Sequence, residues 1–175
     1  MRSDIFVVMG VSGCGKSTVG VHLAAVLGLA FLKGDTLHSS GNVARMAAGV
    51  ALSDADRAGW LQTLAEHIRE ARLAGKGLVL SCSALKRAYR DILRQGAPDL
   101  HLLYLQGDYE LLAARMAART GHYMPLSLLA SQLATLEAPG PDEDAQTFDM
   151  ASRPEYIVAA VAARWPSRGA SQSAP

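Results

Sequence analysis

Only two cysteines, Cys14 and Cys82, occur in the 175 residues. That is too few for a disulfide framework, and they have no metal-ligand spacing, so a reducing compartment, the cytoplasm, is expected. Charge of one sign is missing too. Seventeen Lys and Arg stand against 16 Asp and Glu, a net +1, and this balance gives no reason to expect a nucleic-acid or acidic-membrane partner. No apolar run approaches the length of a membrane span, the first residues lack a signal-peptide pattern, and there is no internal repeat. What remains is a half-apolar chain whose length suits one domain with a good core, residues 1–166. The small polar tail, 167–175, is expected to fray.

The first strong signal is "GVSGCGKST", directly after the apolar run "IFVVM". Gly10, Gly15, Lys16 and Ser17 fit G-x-x-x-x-G-K-[ST] without a mismatch, a β-rich run precedes it and a helical pattern follows. Val19, Leu23, Val26 and Leu27 have helical spacing, with Gly28 as a stop. In such a loop, here Gly10, Ser12, Gly13, Cys14, Gly15, Lys16, Ser17 and Thr18, inward-turned N–H groups and a helix N-terminus hold phosphate oxygens. Lys16 is expected on the β and γ phosphates of ATP, and the Ser17 hydroxyl on Mg²⁺. Cys14, beside Lys16 and a helix N-terminus, is expected to be a reactive thiolate.

Beyond the loop, short β-rich runs alternate with helical patterns. "AFLKG", "GLVLSCSA", "LHLLYLQG" and a weak "TFDM" read as further strands. "SDADRAGWLQTLAEHIREARLAG" reads as a long helix opened by a capping box, Ser53 with Asp56. Trp60, Leu61, Leu64, Ile68 and Leu73 form its expected buried face, and Gly75 ends it. "ALKRAYRDILRQG", "YELLAARMAAR" and the stretch around "EYIVAAVAARW" read as three more helices. The expected fold class is α/β, a three-layer parallel five-stranded sheet. Ligands then lie beyond the carboxyl ends of the strands, where the phosphate loop is.

Two absences narrow the class. The best candidate for a central strand, "VLSCSAL", ends without the carboxylate that a motor ATPase uses to help hold its metal. No base-reading Asn-Lys-x-Asp motif of a GTPase is present either. A small kinase fits better, with its own acceptor pocket and a mobile cover. Asp35 stands where the second strand ends, opposite the phosphate loop, and can take a hydroxyl proton and orient the oxygen. A turn or capping aspartate is the plainer reading of that residue.

The segment from Lys33 to Leu61 resembles the acceptor segment of small P-loop gluconate kinases, through Gly34, Asp35, His38, Asn42, Met46, Gly49, Leu52, Asp54, Asp56, Arg57, Trp60 and Leu61. "CSALKRAYRDILR", "GHYMP" and "SQLATLEAPG" resemble three further blocks of that family, and the likeness spans about Ile5 to Trp165. The resemblance implies a nucleoside-monophosphate-kinase-like fold, with an acceptor segment at 35–61 and a small lid at 119–126. It implies transfer of the ATP γ phosphate to the 6-hydroxyl of D-gluconate, and a possible homodimer. It makes Asp35 the acceptor-orienting base, and His38, Arg45 and Arg57 contacts to the sugar acid.

An anionic acceptor beside ATP needs fixed positive charge, which the helix after "VLSCS" can supply through Lys86 and Arg90, one turn apart. Arg87 on the same helix fits a solvated basic face as well. Ser83, at the strand end, is the expected hydroxyl contact. By similarity with shikimate-type kinases, Arg115 is assigned to adenine and Arg119 to the phosphates, where a lid arginine can neutralise charge spreading over the transferred group. His122 and Gln132 are placed facing the sugar, and Arg153 near the adenine.

Departures from the family pattern keep other readings open. Ser39, Ala51 and Gly59 replace prolines, Leu133-Ala134 replaces Phe-Glu, and Lys33 replaces the first acid of an Asp-x-Asp pair. A lysine there cannot help hold Mg²⁺ and is expected to turn to solvent. A kinase for another aldonate or for shikimate, and a nucleotide-binding module without transfer activity, therefore remain alternatives.

Overall fold

Five apolar residues in a row suit a strand covered on both faces, and β1 (Ile5–Met9) is buried at every position. The computed structural model describes residues 4–119 and 125–165. Around β1 lie β2 (Ala30–Lys33), β3 (Leu78–Ser81), β4 (His101–Gln106) and β5 (Gln146–Asp149), in the order β2-β3-β1-β4-β5. All four neighbouring pairs are parallel, as expected where each strand is followed by a helical crossover. β3 is buried throughout and the four central positions of β4 are buried as well. The outer strands expose alternate or end residues.

The helices are α1 (Lys16–Leu27), α2 (Ser40–Ala47), α3 (Asp54–Leu73), α4 (Arg87–Arg94), α5 (Tyr109–Ala118), α6 (Ser127–Thr135) and α7 (Pro154–Ala162). α1 packs on α7 and α3 on α4, and the helices flank the sheet as the outer layers of an α/β sandwich. Their ends follow local chemistry. Gly28 closes α1 in the left-handed conformation, which glycine adopts without steric cost. Ser53 and Asp56 form the expected capping box at the head of α3, and Asp108 caps α5 through the Leu111 N–H.

Three details differ from the sequence reading. Leu73 is 81% exposed, because helical periodicity continues past the point where the neighbouring layer ends. α4 starts at Arg87, so Lys86 is its N-cap residue and not part of its first turn. The segment from Ser127 forms a helix, α6, that the apolar pattern did not announce. The expected lid, 119–126, falls mostly outside the described residues.

Among the described residues one ion pair has both side chains buried. The side chains of Arg90 and Glu143 are each 1% exposed, and Nε and Nη2 of the arginine donate to the two carboxylate oxygens at 2.7 Å. These hydrogen bonds outweigh burial and hold the Glu143 carboxyl down to about 2, against an ordinary 4.5. The native state therefore binds this proton less readily than the unfolded chain. The stability that follows is complete above pH 4.5 and is lost as pH falls toward 2. Urea unfolding should show a loss on the order of 2–3 kcal/mol across that window. Glu143→Gln should be less stable at neutral pH and show a shallower acid slope; an unchanged slope would disprove the assignment.

Candidate active site

The site is built by strand register. Val8 pairs with Ser81, and Ser81 with Lys33, so β1, β3 and β2 end at the same level. Two residues further on, the chain reaches Gly10, Ser83 and Asp35 respectively. Adjacent parallel strands are about 4.8 Å apart, which puts the Asp35 segment about 10 Å across from the phosphate loop. A backbone bond ties the edge together, with the Gly10 N–H donating to the Ser83 carbonyl at 3.3 Å.

The loop has the shape that a phosphate cradle needs. Gly10 has φ 149°, and a Cβ there would stand 2.6 Å from Cys14 Sγ and 2.8 Å from the Leu105 carbonyl oxygen. Gly13 has φ 84°, and its Cβ would meet Met116 Cγ at 3.0 Å. A side chain at Gly10 would collide with backbone, and one at Gly13 would be strained by the positive φ. Lys16 Nζ lies across the loop, donating to the Val11 carbonyl at 3.0 Å and sitting 3.8 Å from Cys14 Sγ. Ser17 and Thr18 lie in the first turn of α1. Among the described residues no group of three His, Cys, Asp or Glu could hold a metal ion. A single hydroxyl, Ser17, suits Mg²⁺ carried in on nucleotide phosphates, since this ion keeps several of its waters.

Cys14 departs from expectation. It is only 2% exposed, with its sulfur turned under the loop toward Gly10. The same packing that forces a glycine at 10 shields the sulfur, so Cys14 is not the accessible group that its neighbours suggested. Cys82 is fully buried, and burial pushes its thiol up to about 12.

On the acceptor side, Asp35 lies in a 3-10 turn, Gly34–Leu37. His38 follows and stacks on Trp60, ring centroids 4.0 Å apart and 19° from parallel. The Trp60 indole N–H donates to the Gly34 carbonyl at 2.8 Å, locking the turn onto α3. Nδ1 of His38 is buried without a hydrogen-bond partner, alone in this among the buried side-chain polar atoms of the described residues. Burial lowers the His38 pKa from 6.5; Asp35 opposes this shift and Arg57 adds to it. The shift favours the neutral ring, and Nδ1 keeps a hydrogen-bonding capacity that no other side chain or backbone group of the described residues uses.

Beside it is a cluster that the sequence reading saw only in part. Arg57 Nη1 donates to the Tyr89 hydroxyl at 3.0 Å, and that hydroxyl donates in turn to Asp54. Lys86 Nζ reaches both Asp54 oxygens at 3.0 and 3.1 Å. Hydrogen bonds from Tyr89 and then Lys86 lower the Asp54 pKa. Arg57 and Lys86 are thus brought together, 5.5 and 5.7 Å from the centre of the Tyr89 ring. Arg45 is engaged otherwise, bonded at 2.9 Å to Asp56, which also accepts from the Ser53 N–H.

One assignment is corrected. Arg90 cannot touch a substrate: it is 1% exposed and spends its donors on Glu143 and on the carbonyls of Ala84, Leu85 and Glu137. The i, i+4 spacing with Lys86 misled because Lys86 lies outside the helix. Gln132 is buried beside the phosphate loop, its Oε1 accepting from the Ser12 N–H at 2.7 Å. Glu143 was missed, since a carboxylate in "PGPDEDA" looks like any solvated loop acid. Tyr89 was missed because only the charges of its helix were weighed.

On the nucleotide side, Arg115 donates to the Met150 carbonyl at 2.8 Å, and its Nη1 is 3.8 Å from where a Cβ on Gly15 would be. It thus spans from the phosphate loop to the turn after β5, where Arg153 stands exposed as the N-cap residue of α7. Arg119 is exposed at the end of α5. His122 lies outside the described residues.

Comparison with known proteins agrees with this geometry. An AAA domain family model matches residues 5–139. The chain is 46% identical over 158 residues to the gluconokinase of Gluconobacter oxydans (strain 621H), covering 90% of this chain and 89% of that one. It is 46% identical over 143 residues to the thermosensitive gluconokinase of Escherichia coli (strain K12), covering 82% and 76%. The crystal structure of a gluconokinase from Sinorhizobium meliloti 1021 superposes with a TM-score of 0.82 at 44% identity, covering 93% of each chain. The AAA description alone does not separate a kinase from a remodelling ATPase, but relatives this similar, matched over nearly their whole length, do: the chain belongs to the gluconokinase family of P-loop kinases.

Proposed function

We propose that the chain transfers the γ-phosphoryl group of ATP to the 6-hydroxyl of D-gluconate, giving 6-phosphogluconate and ADP for sugar-acid catabolism in the cytoplasm. The observation that carries this reading is the common level at which β1, β3 and β2 end, which sets a phosphate cradle across from a carboxylate, Asp35. The family relationship supplies the acceptor.

Phosphoryl transfer asks the protein mainly for positioning and charge. Backbone N–H groups of residues 13–18 hold the phosphates, and Lys16 leaves the Val11 carbonyl to reach them. Mg²⁺, held by Ser17 together with the phosphates, supplies charge neutralisation. Asp35 accepts the 6-hydroxyl proton and aims its oxygen. His38 takes a sugar hydroxyl at its unpartnered nitrogen, while Arg57 and Lys86 provide the cationic ground for the carboxylate of the acceptor. Arg115 packs against the adenine, Arg153 borders it, and Arg119 brings charge from the lid side. A coupled ADP-release assay across gluconate, other aldonates and shikimate tests the whole reading. Turnover with gluconate is expected, and ADP release that no acceptor stimulates would refute it.

Three outcomes are expected for variants. Asp35→Asn should bind ATP normally and lose about 10²–10⁴ in kcat; a mutant with a tenth of the activity or more contradicts the base assignment. Lys16→Ala should weaken both ATP binding, read by calorimetry, and turnover, since the lysine meets phosphate before and during transfer. For His38, the KM for gluconate should stay flat down to pH 6.5 and rise only below it, because the ring must be neutral to accept a hydrogen bond. In His38→Asn that rise should vanish and the KM should be higher throughout; a persisting acid limb would point to another group.

A further inference from the structure

We propose that the buried Arg90–Glu143 pair is a positioning device for the acceptor side of the site, holding residues 83–86 in a conformation that they would not keep alone. The proposal rests on the kinase reading above. It starts from a backbone anomaly: Ala84, fully buried, has φ 45°. A residue with a Cβ is disfavoured in the left-handed region, so something must over-determine this conformation.

The Arg90 guanidinium does so. Its Nη1 donates to the carbonyls of Ala84 at 3.0 Å, Leu85 at 3.2 Å and Glu137 at 3.0 Å. Nε and Nη2 are fixed on Glu143, which is itself oriented by Arg94 at 3.1 Å and the Gly140 N–H at 3.1 Å. Glu137 closes the arrangement, its N–H donating to the Leu85 carbonyl at 2.8 Å and its carboxylate accepting from the Arg87 N–H at 2.7 Å. On either side of Ala84 stand Ser83, whose carbonyl accepts from the Gly10 N–H, and the Leu85–Lys86 step that sets Lys86 beside Asp54. The clamp thus fixes the stretch carrying both of these residues.

The acid-dependent stability described above does not by itself call for an ion pair at this place. Well-packed apolar residues often replace a buried ion pair without loss, so what such a pair adds, where it adds anything, is conformational specificity. A lysine at 90 keeps the charge but cannot reach Glu143 and three carbonyls at once, because it lacks the planar fork.

Arg90→Lys and Glu143→Gln are compared with the unmodified protein at a temperature where circular dichroism shows all three folded. Both variants should raise the KM for gluconate and lower kcat, with kcat/KM down at least tenfold and the MgATP dissociation constant within threefold. Adding Ala84→Gly to either variant should recover at least threefold in kcat/KM, since glycine holds a positive φ without help. Undiminished kcat/KM in a folded variant, or no recovery with Ala84→Gly, overturns the proposal. So does failure of both variants to fold, which would make the pair structural only. Hydrogen exchange separates this from the reading beneath it. Faster exchange confined to residues 82–90 and 137–143 in the variants supports the clamp even if gluconate is not the acceptor, and unchanged exchange there rejects it.

Discussion

The shared level at which three neighbouring strands end is the constraint from which the site follows. In a parallel sheet a one-residue slip of β2 against β3 would turn every side chain of β2 to the opposite face. It would also carry Asp35 away from the edge that Gly10 and Ser83 share. Register is held by burial. β1 and β3 have no exposed residue, so neither can shift without bringing backbone into a packed layer. The phosphate loop is therefore placed by the sheet core as much as by its own glycines, and the Gly10–Ser83 hydrogen bond records that dependence.

Charge is handled differently in the three parts of the site. At the phosphate loop Lys16 rests on a backbone carbonyl, a neutral partner that it can leave easily. At the acceptor side Arg57 and Lys86 share Asp54 and Tyr89, a partly open cluster in which solvent weakens each pair. Deep between α4 and the turn before β5, Arg90 and Glu143 are cut off from water. Only here is charge fixed permanently, and here it shapes backbone and does not meet a ligand. A cation in this molecule is available for chemistry to the degree that its resting partner is weak.

Fold and cradle were legible in the sequence because both rest on local rules. Gly10, Gly15, Lys16 and Ser17 are spaced by the geometry of one loop, the capping box at Ser53 is a four-residue device, and five β-rich runs separated by helical ones leave few arrangements open. On the acceptor side resemblance pointed to Asp35, His38 and Arg57, and their roles there belong to the proposed function. What escaped was decided by contacts distant in sequence. Nothing near Arg90 reveals that its partner lies 53 residues on, and helical spacing falsely grouped it with Lys86. Gln132 was assigned to the sugar, and the contact of its amide oxygen with the Ser12 N–H, 120 residues earlier, was not foreseen. The thiol of Cys14 was judged by its neighbours in sequence, while its burial depends on how the loop packs on β4 and α5.

The sheet is open, and its two borders are β2 and β5. Each is only four residues long, β2 ending in exposed Lys33 and β5 in exposed Asp149. A short border that ends in a charge offers a passing chain few free peptide groups and an unfavourable place to dock. Lys33 supplies such a charge at the β2 border. A charge on the exposed rim of a short edge strand disfavours edge-to-edge pairing between copies.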